Sequence, residues 1–523
     1  MKNTLESLPN SVHELKKMVL NLEALHTTVV HEKNELIAKH HQKYVVIEKK
    51  YNQLLEQLKL ARLKRFGQST ETSHQLALFD EADKPLPPET KETLLTEEKV
   101  STHKKRKAKG RRPLPANFPV EEVLHDIPET DKQCACGHPR HRIGEEISEQ
   151  LKYIPAQLVV VRHIRPKYAC RACEEGVTIA PMPLLLLPKS IATPELIAQT
   201  ILSKYEDHLP LYRQEQMWKR LGIDLPRNSC CGWLMKVSEF CEPLWHLLKE
   251  DIVKSSYAQA DETPVVVLKI GNAKKRKKAY MWCYRSHPPN GPYSICFEYQ
   301  SSRSGDYAAE FLKGFTGYLQ TDMYQGYRQW VKDNPSVIHV GCLAHARRYF
   351  ADIVKVHKTP GLAHEAMQFF KTLYAVEQDI KDLSVEARYQ IRQEKAKPIL
   401  KDFKAWLDRS VQQVPDQFAI GKAIHYCLNH WTELSNYTQH GMLHIDNNLI
   451  ENNIRPFALG RKNWLFNGSP RGAKAGAIFY SLLATCKASQ INPEAYLVKM
   501  LSNIRACKTK KDFRQLLPYH IQL

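Results

Sequence analysis

The sequence predicts a multidomain α+β protein: a long N-terminal helix, a small cysteine-bearing segment, a helical region, and an α/β core interrupted by a helical insertion. Three observations lead there. Apolar residues repeat with heptad spacing through residues 11–65. Two close cysteine pairs lie between residues 134 and 173. From residue 256 onward, short β-rich runs alternate with helical ones, which is the pattern of a sheet packed against helices.

Composition bounds the function. With 523 residues and 43% hydrophobic side chains, the chain has enough apolar material for several cores. The net charge of +20 points to a polyanionic partner, because Lys and Arg release condensed counterions from nucleic acid. An anionic membrane surface is the rival reading, but no basic amphipathic helix stands out. No apolar run is long enough to span a bilayer; the strongest, residues 181–188, is short and bracketed by prolines. The opening MKNTLESLPN lacks the apolar stretch of a signal peptide. A cytoplasmic protein, nucleoid-associated when bound to DNA, is therefore expected. There the 13 cysteines stay reduced and pairs read as metal ligands before disulfides.

Residues 11–65 are expected as one helix. Leu15, Met18, Leu22, Leu25, Val29 and Leu36 fit one heptad frame. After an offset of one residue, Tyr44, Ile47, Tyr51, Leu54 and Leu58 resume it. A coiled coil with a phase break fits, and it implies a homo-oligomer. Glu32 and Lys39 interrupt the seam, and an amphipathic helix docked on its own domain is the alternative. Residues 66–119 turn polar and proline-rich, a flexible linker. Its basic tract, from Lys104 to Arg111-Arg112-Pro113, can follow a phosphate backbone. Arg111 and Arg112 are candidate minor-groove contacts, with a solvated charge run as the alternative.

Residues 120–190 read as a zinc-binding segment. Cys134 and Cys136 are followed by a strand-like stretch, residues 158–164, and then by Cys170 and Cys173. Four thiolates in two close pairs suit one tetrahedral Zn²⁺. The first pair is spaced more tightly than usual, and His138 and His141 are substitute ligands. Residues 191–250 carry helical patterns over 194–204 and 211–221, then a turn from Gly222 to Pro226 and a third helix from Asn228. This is helix-turn-helix spacing, placing Arg227, Asn228 and Ser229 where a recognition helix enters the major groove. A packing bundle without a DNA role has the same pattern.

Residues 251–350 predict three meandering strands, a helix, a strand, a helix and a fifth strand, which is the order of an RNase H-like core. Asp261 lies on the first strand and Asp322 ends the fourth. Those strands are neighbours in such a core, so the two carboxylates can share a cation. Glu262 is excluded, because adjacent strand residues face opposite ways. Helical patterns at 363–383 and 386–407 make residues 351–440 an insertion, and residues 441–485 return to the core. Glu451 there is the candidate third acid, with Asn448 and Arg455 on its helical face. Residues 486–523 form a helical tail. Three carboxylates are hard oxygen donors suited to Mg²⁺ or Mn²⁺, and a metal pair drives in-line displacement at a phosphodiester. The bland alternatives are a solvent-facing Asp261, an N-capping Asp322, and a Glu451 paired with Arg455.

Further candidates flank this site. Cys342-x-x-His345 follows the fifth strand with no second ligand pair near it, and a packing or hydrogen-bonding role is expected. Arg347 and Arg348 are phosphate contacts or helix caps. Arg461, Lys462 and Trp464 begin a basic, glycine-interleaved stretch in which Trp464 either stacks on an unpaired base or lies buried beneath a loop.

The strings Lys64-Arg65-Phe66-Gly67-Gln68-Ser69, Leu209-Pro210-Leu211-Tyr212-Arg213-Gln214, Asp261-Glu262-Thr263, Thr321-Asp322-Met323-Tyr324-Gln325-Gly326-Tyr327, Cys342-Leu343-Ala344-His345-Ala346-Arg347-Arg348, Ile445-Asp446-Asn447-Asn448 through Glu451 to Arg455-Pro456, and Leu459-Gly460-Arg461-Lys462-Asn463-Trp464 run nearly end to end. On them the chain resembles the transposases of the insertion sequence 66 family, a branch of the DDE transposases. The resemblance implies a leucine-zipper-like helix, structural zinc, a DNA-binding helical region, and Asp261, Asp322 and Glu451 as the acid triad. It also implies cleavage at the ends of an insertion sequence, strand transfer into target DNA, and accessory proteins of the same element. One departure is Asn452, where the family often has Arg. A non-cleaving DNA-binding regulator and a structure-selective nuclease are the competing functions.

Overall fold

A computed structural model describes residue 9 and residues 11–66, 158–165, 167–169, 177–179, 183–268, 277–287, 291–356 and 360–523. The chain forms two compact units, residues 1–84 with 165–523, and residues 85–164. Of the second, only 158–164 are described. The strand expected there is absent: these residues form no ladder and their side chains are exposed. Their β-branched composition is strand-like, but a strand exists only through a paired neighbour.

Helix α1 (Val12–Phe66) is a single helix of 55 residues, as its periodicity requires. Most of its heptad side chains stand in solvent, with Leu25 62% and Tyr44 66% exposed, while Leu15 and Met18 are half-buried. Strands β1 (Lys167–Ala169) and β2 (Val177–Ile179) pair as a hairpin. Cys170 and Cys173 fall between them, and with Cys134, Cys136, Arg111 and Arg112 they lie outside the described residues.

Three helices follow: α2 (Pro194–Tyr205), α3 (Leu211–Arg220) and α4 (Arg227–Val253). Thr193 caps α2, accepting from the Leu196 amide, and Pro194 opens it with no amide hydrogen left unpaired. Gly222 turns the chain between α3 and α4 at φ +87°. The third helix exceeds a recognition helix. It runs 27 residues, and its buried C-terminal positions, such as Leu244 and Leu248, join the main core.

The core sheet has five strands: β3 (Tyr257–Val267), β4 (Lys277–Ser286), β5 (Ile295–Gln300), β6 (Gly317–Gln320) and β7 (Val337–Val340). Their order is β5-β4-β3-β6-β7. The first three meander antiparallel, while β6 runs parallel to both β3 and β7. Parallel neighbours need crossovers; α5 (Gly305–Phe311) lies between β5 and β6, and α6 (Gln325–Lys332) between β6 and β7. The edge strand β5 is not left bare. Its Ile295 and Phe297 amides donate to the Thr485 and Ser481 hydroxyls of a late helix, at 3.0 and 2.7 Å.

Beyond β7 come α7 (Leu343–Val356), α8 (Leu362–Ile380), α9 (Val385–Ile391), α10 (Lys397–Ser410), α11 (Ala419–Asn429) and α12 (Trp431–Ser435). They share a second apolar core with β7, built around Phe350, Phe370, Phe403 and Leu407. Between α9 and α10 the helix widens into a π turn at Arg392–Ala396. Pro398, just beyond it, has no amide hydrogen to continue the regular ladder. The turn carries Arg392, which is fully buried, bonded to both Glu377 carboxylate oxygens at 2.9 and 2.6 Å and to the Tyr437, His440 and Leu443 carbonyls. The chain then returns through α13 (Asn448–Trp464), α14 (Pro470–Ala488), α15 (Pro493–Asn503) and α16 (Lys510–Gln515). Ser469 and Asn492 cap α14 and α15 ahead of their first-turn prolines. No described helix is long and apolar enough to cross a membrane.

Candidate active site

The parallel pairing of β3 with β6 sets the site. Tyr257, Ala258 and Gln259 pair with Tyr318, Leu319 and Gln320, and carrying that register two residues further sets Asp261 beside Asp322. One oxygen of each is tied to the backbone: Asp261 Oδ1 accepts from the Glu262 amide at 2.8 Å, and Asp322 Oδ1 from the Tyr324 amide at 2.9 Å. Met323, between them, sits at φ +70°, which bends the chain back beneath the Asp322 carboxylate.

Glu262 belongs to this cluster too, contrary to the strand alternation. Its carboxylate lies within 4.8 Å of those of Asp261 and Asp322. The β3–β6 ladder ends at Gln259 and Gln320, so β3 has no ladder partner on that side at Glu262. Two groups hold the Glu262 carboxylate: Arg303 at 2.5 Å and the Tyr327 hydroxyl at 2.9 Å. Arg303 stacks over the Tyr324 ring, 4.0 Å from its centroid, and its guanidinium also reaches Asp322 at 3.9 Å. With both Glu262 oxygens occupied, Asp261 and Asp322 are the better pair to take a cation.

Glu451 stands in the first turn of α13, where the positive end of the helix dipole favours a carboxylate. It groups most closely with Cys342 and His345, one donor atom from each lying within 4.8 Å of the others. Its charge still reaches Asp261. Burial, then Asp322, Glu262 and Glu451, push the Asp261 carboxyl well above its ordinary value. Such crowding is unfavourable for carboxylates alone and favourable around a hard cation, so the donor set fits Mg²⁺ or Mn²⁺. Burial, then Arg348, lower His345 to about 4, so its imidazole is neutral near pH 7. Arg348 is the exposed guanidinium here, 3.9 Å from Glu451.

Two buried glutamines, not foreseen from the sequence, knit the three acid-bearing segments together. Gln259 Nε2 donates to Gln320 Oε1 at 2.8 Å and to the Asp446 carbonyl at 3.3 Å. Gln320 Nε2 donates to the His444 carbonyl at 2.8 Å. Asn447 donates through its side chain to the Ala260 carbonyl at 3.5 Å and through its amide to Cys342 Sγ at 3.2 Å. A signal existed: each aspartate is preceded by glutamine two residues earlier, Gln259-Ala260-Asp261 and Gln320-Thr321-Asp322, so both glutamines share a face with their acids.

The other candidates are scattered. Arg347 is 8% exposed and lies in the packed layer near Tyr374, whereas the Arg348 side chain is about half exposed. Arg461 is a structural tie, donating to the Thr263 hydroxyl at 3.0 Å and to the Pro264 carbonyl. Trp464 is half-buried and packs edge-on against Phe457 with centroids 5.5 Å apart; Phe466 is the exposed ring nearby. Lys462 is exposed and Arg455 half-buried on α13. Arg227 and Asn228 are exposed at the start of α4, with Arg227 over the Tyr212 ring.

Comparison with known families assigns the class: transposases. The model described as "Transposase IS66 family" matches residues 189–475, and the "IS66 C-terminal element" matches 481–519. The "zinc-finger binding domain of transposase IS66" matches 131–174, the segment that holds all four zinc candidates. "Transposase C of IS166 homeodomain" matches 53–123. The chain belongs to the IS66 transposase family. Among its relatives, Uncharacterized protein y4jD of Sinorhizobium fredii is 36% identical over 417 residues, covering 78% of this chain and 81% of that one. Uncharacterized protein y4qI of the same organism is 31% identical over 414 residues, covering 77% and 76%.

Proposed function

We propose that this transposase cuts the ends of its own insertion sequence and joins them to target DNA, with Asp261, Asp322 and Glu451 as metal-holding acids on an RNase H-like core. One observation carries the reading: two parallel neighbouring strands bring Asp261 and Asp322 together, with Glu451 close enough to weigh on Asp261. The strand order is the one expected for such a core. A divalent cation held there activates the attacking oxygen and stabilises the leaving one. The chain's own groups do the rest. The backbone amides fix one oxygen of each aspartate, and Arg303 with the Tyr327 hydroxyl occupies both oxygens of Glu262. Arg348, exposed beside Glu451, is placed to meet the phosphate.

DNA is held by the basic chain, through Arg227 and Asn228 on α4, through Arg455 and Lys462, and through the Arg111-Arg112 tract. The exposed apolar seam of α1 supports self-association, and the zinc-finger match supports structural Zn²⁺ on Cys134, Cys136, Cys170 and Cys173.

The test uses purified full-length protein on DNA carrying the element's ends. Mg²⁺-dependent nicking is expected, and Asp261→Ala, Asp322→Ala or Glu451→Ala abolishes it while DNA binding persists. Cleavage retained in any of the three refutes the triad. Binding without strand breaks in the wild type marks a regulator. Hydrolysis without joining in a strand-transfer assay marks a nuclease.

A further inference from the structure

Cys342 follows β7 directly, and His345 lies on the first turn of α7. The sequence offered this pair no further ligand, but the fold supplies one from far along the chain. A sulfur of Cys342, a ring nitrogen of His345 and a carboxylate oxygen of Glu451 all lie within 4.8 Å of one another. His345 Nδ1 is buried without a hydrogen-bond partner, although Glu451 Oε1 is only 3.8 Å away. That gap is too long for a hydrogen bond and within the reach of two donors each about 2 Å from one ion. The Asn447 amide donates toward Cys342 Sγ from 3.2 Å, a contact that a metal-bound sulfur there would keep.

The donor chemistry separates this cluster from the aspartates. Asp261 and Asp322 offer only hard oxygens, whereas a thiolate, an imidazole and a carboxylate select a borderline-soft ion such as Zn²⁺ over Mg²⁺. Three protein ligands leave the fourth tetrahedral position to water. We propose that Cys342, His345 and Glu451 form a second Zn²⁺ site, distinct from the finger, whose filling withdraws Glu451 from the acid triad and so inhibits DNA cleavage. Binding releases the thiol proton to solvent, with no change of oxidation state. The inhibitory consequence rests on Glu451 being the third acid; the site itself does not.

Full-length protein, purified with its finger metal in place, is dialysed against buffered Zn²⁺ and its metal content measured. The wild type is expected to hold one more zinc per chain than Cys342→Ser or His345→Gln. Asp261→Asn keeps the additional ion, because Asp261 is not among its ligands. Each ligand variant should weaken the site at least about tenfold, the loss that removal of even an outer-shell partner brings. In Mg²⁺-supported cleavage, Zn²⁺ should inhibit the wild type, and Cys342→Ser, read against its own Zn²⁺-free rate, should resist Zn²⁺. Equal zinc content in the wild type and both ligand variants, all folded by circular dichroism, overturns the site. Inhibition equally strong in Cys342→Ser overturns the competition. Additional zinc in a wild type that cuts nothing with Mg²⁺ upholds the site and refutes the transposase chemistry instead.

Discussion

Replacing Asp261 with asparagine should make the Mg²⁺-free protein more stable, although it removes the residue at the centre of the proposed chemistry. Carboxylate oxygens of Asp261, Glu262 and Asp322 lie within 4.8 Å of one another, and the close ion pair of Arg303 is with Glu262. The uncompensated pair, Asp261 with Asp322, repels by about 3 kcal/mol at that separation in an effective dielectric of about 20. Asp322 keeps 21% of its side chain in solvent, and Arg303 approaches it at 3.9 Å. Screening therefore leaves about 1–2 kcal/mol for the substitution to recover. In a folded unit of this size, with an unfolding entropy of about 2.1 cal/mol/K per residue, that corresponds to a melting temperature higher by about 1–2 °C. The assay is thermal unfolding followed by circular dichroism, without chelator, so that a zinc finger keeps its metal. Added Mg²⁺ should raise the wild type's melting temperature and leave Asp261→Asn nearly unchanged. The pH dependence has a definite sign. Burial and neighbouring carboxylates raise the Asp261 carboxyl in the folded state, so once the carboxyl of the unfolded chain ionises, folding must either retake the proton or bury the charge. The advantage of asparagine is then absent below the ordinary carboxylate range, grows as pH rises from that range to the raised value, and is constant above it. A variant less stable than the wild type at neutral pH, with no Mg²⁺ response in either, would refute the reasoning.

Three other substitutions test the scaffold and the phosphate contact. Gly317 starts β6 at φ +110°, where a Cβ would meet the Ser256 carbonyl, so Gly317→Ala should cost at least about 1–3 kcal/mol in urea unfolding. Arg392→Ala leaves Glu377 buried without its partner and should cost about 3–5 kcal/mol by the same measurement, whereas Arg392→Ala with Glu377→Leu should recover part of that loss. Arg348→Ala should leave stability unchanged while lowering the slope of log affinity against log salt by about 1 in DNA-binding titrations.

Much of this fold is legible in the sequence because its signals are local. Alternation and turn residues place the five strands to within a few residues, and the Thr193-Pro194 start fixes α2. Asp261 and Asp322 could be paired because strand neighbourhood follows from element order. Non-local features were illegible. Residues 158–164 carry strand composition, yet no ladder forms there, and composition says nothing about whether a neighbour arrives. Glu262 joins the acids because the β6 ladder stops at Gln320, which period-two alternation does not encode. The third partner of Cys342 and His345 comes from another helix, after the whole helical insertion. The same limit applies to Trp464, whose edge-on contact with Phe457 its sequence neighbourhood does not reveal.

The glutamines explain how an acid so distant along the chain is held to the strand pair. A side-chain amide buried between strands is costly unless its hydrogen bonds are met. Here Gln259 and Gln320 meet them by reaching each other and the backbone of residues 444–446, the segment that leads into α13. Tyr257 reinforces the pair by donating its hydroxyl to Gln320 at 2.5 Å. An apolar pair at these positions would bury as much surface but would not select one register, because dispersion contacts are not directional. Hydrogen bonds to named carbonyls do select one, and a shift of the 444–446 segment would leave buried amides unpaired. The insertion can therefore vary in its outer helices while Glu451 stays fixed relative to Asp261 and Asp322. What positions the acids is thus a polar seam two residues behind them, not the carboxylates themselves, whose mutual repulsion works against the arrangement until a cation arrives.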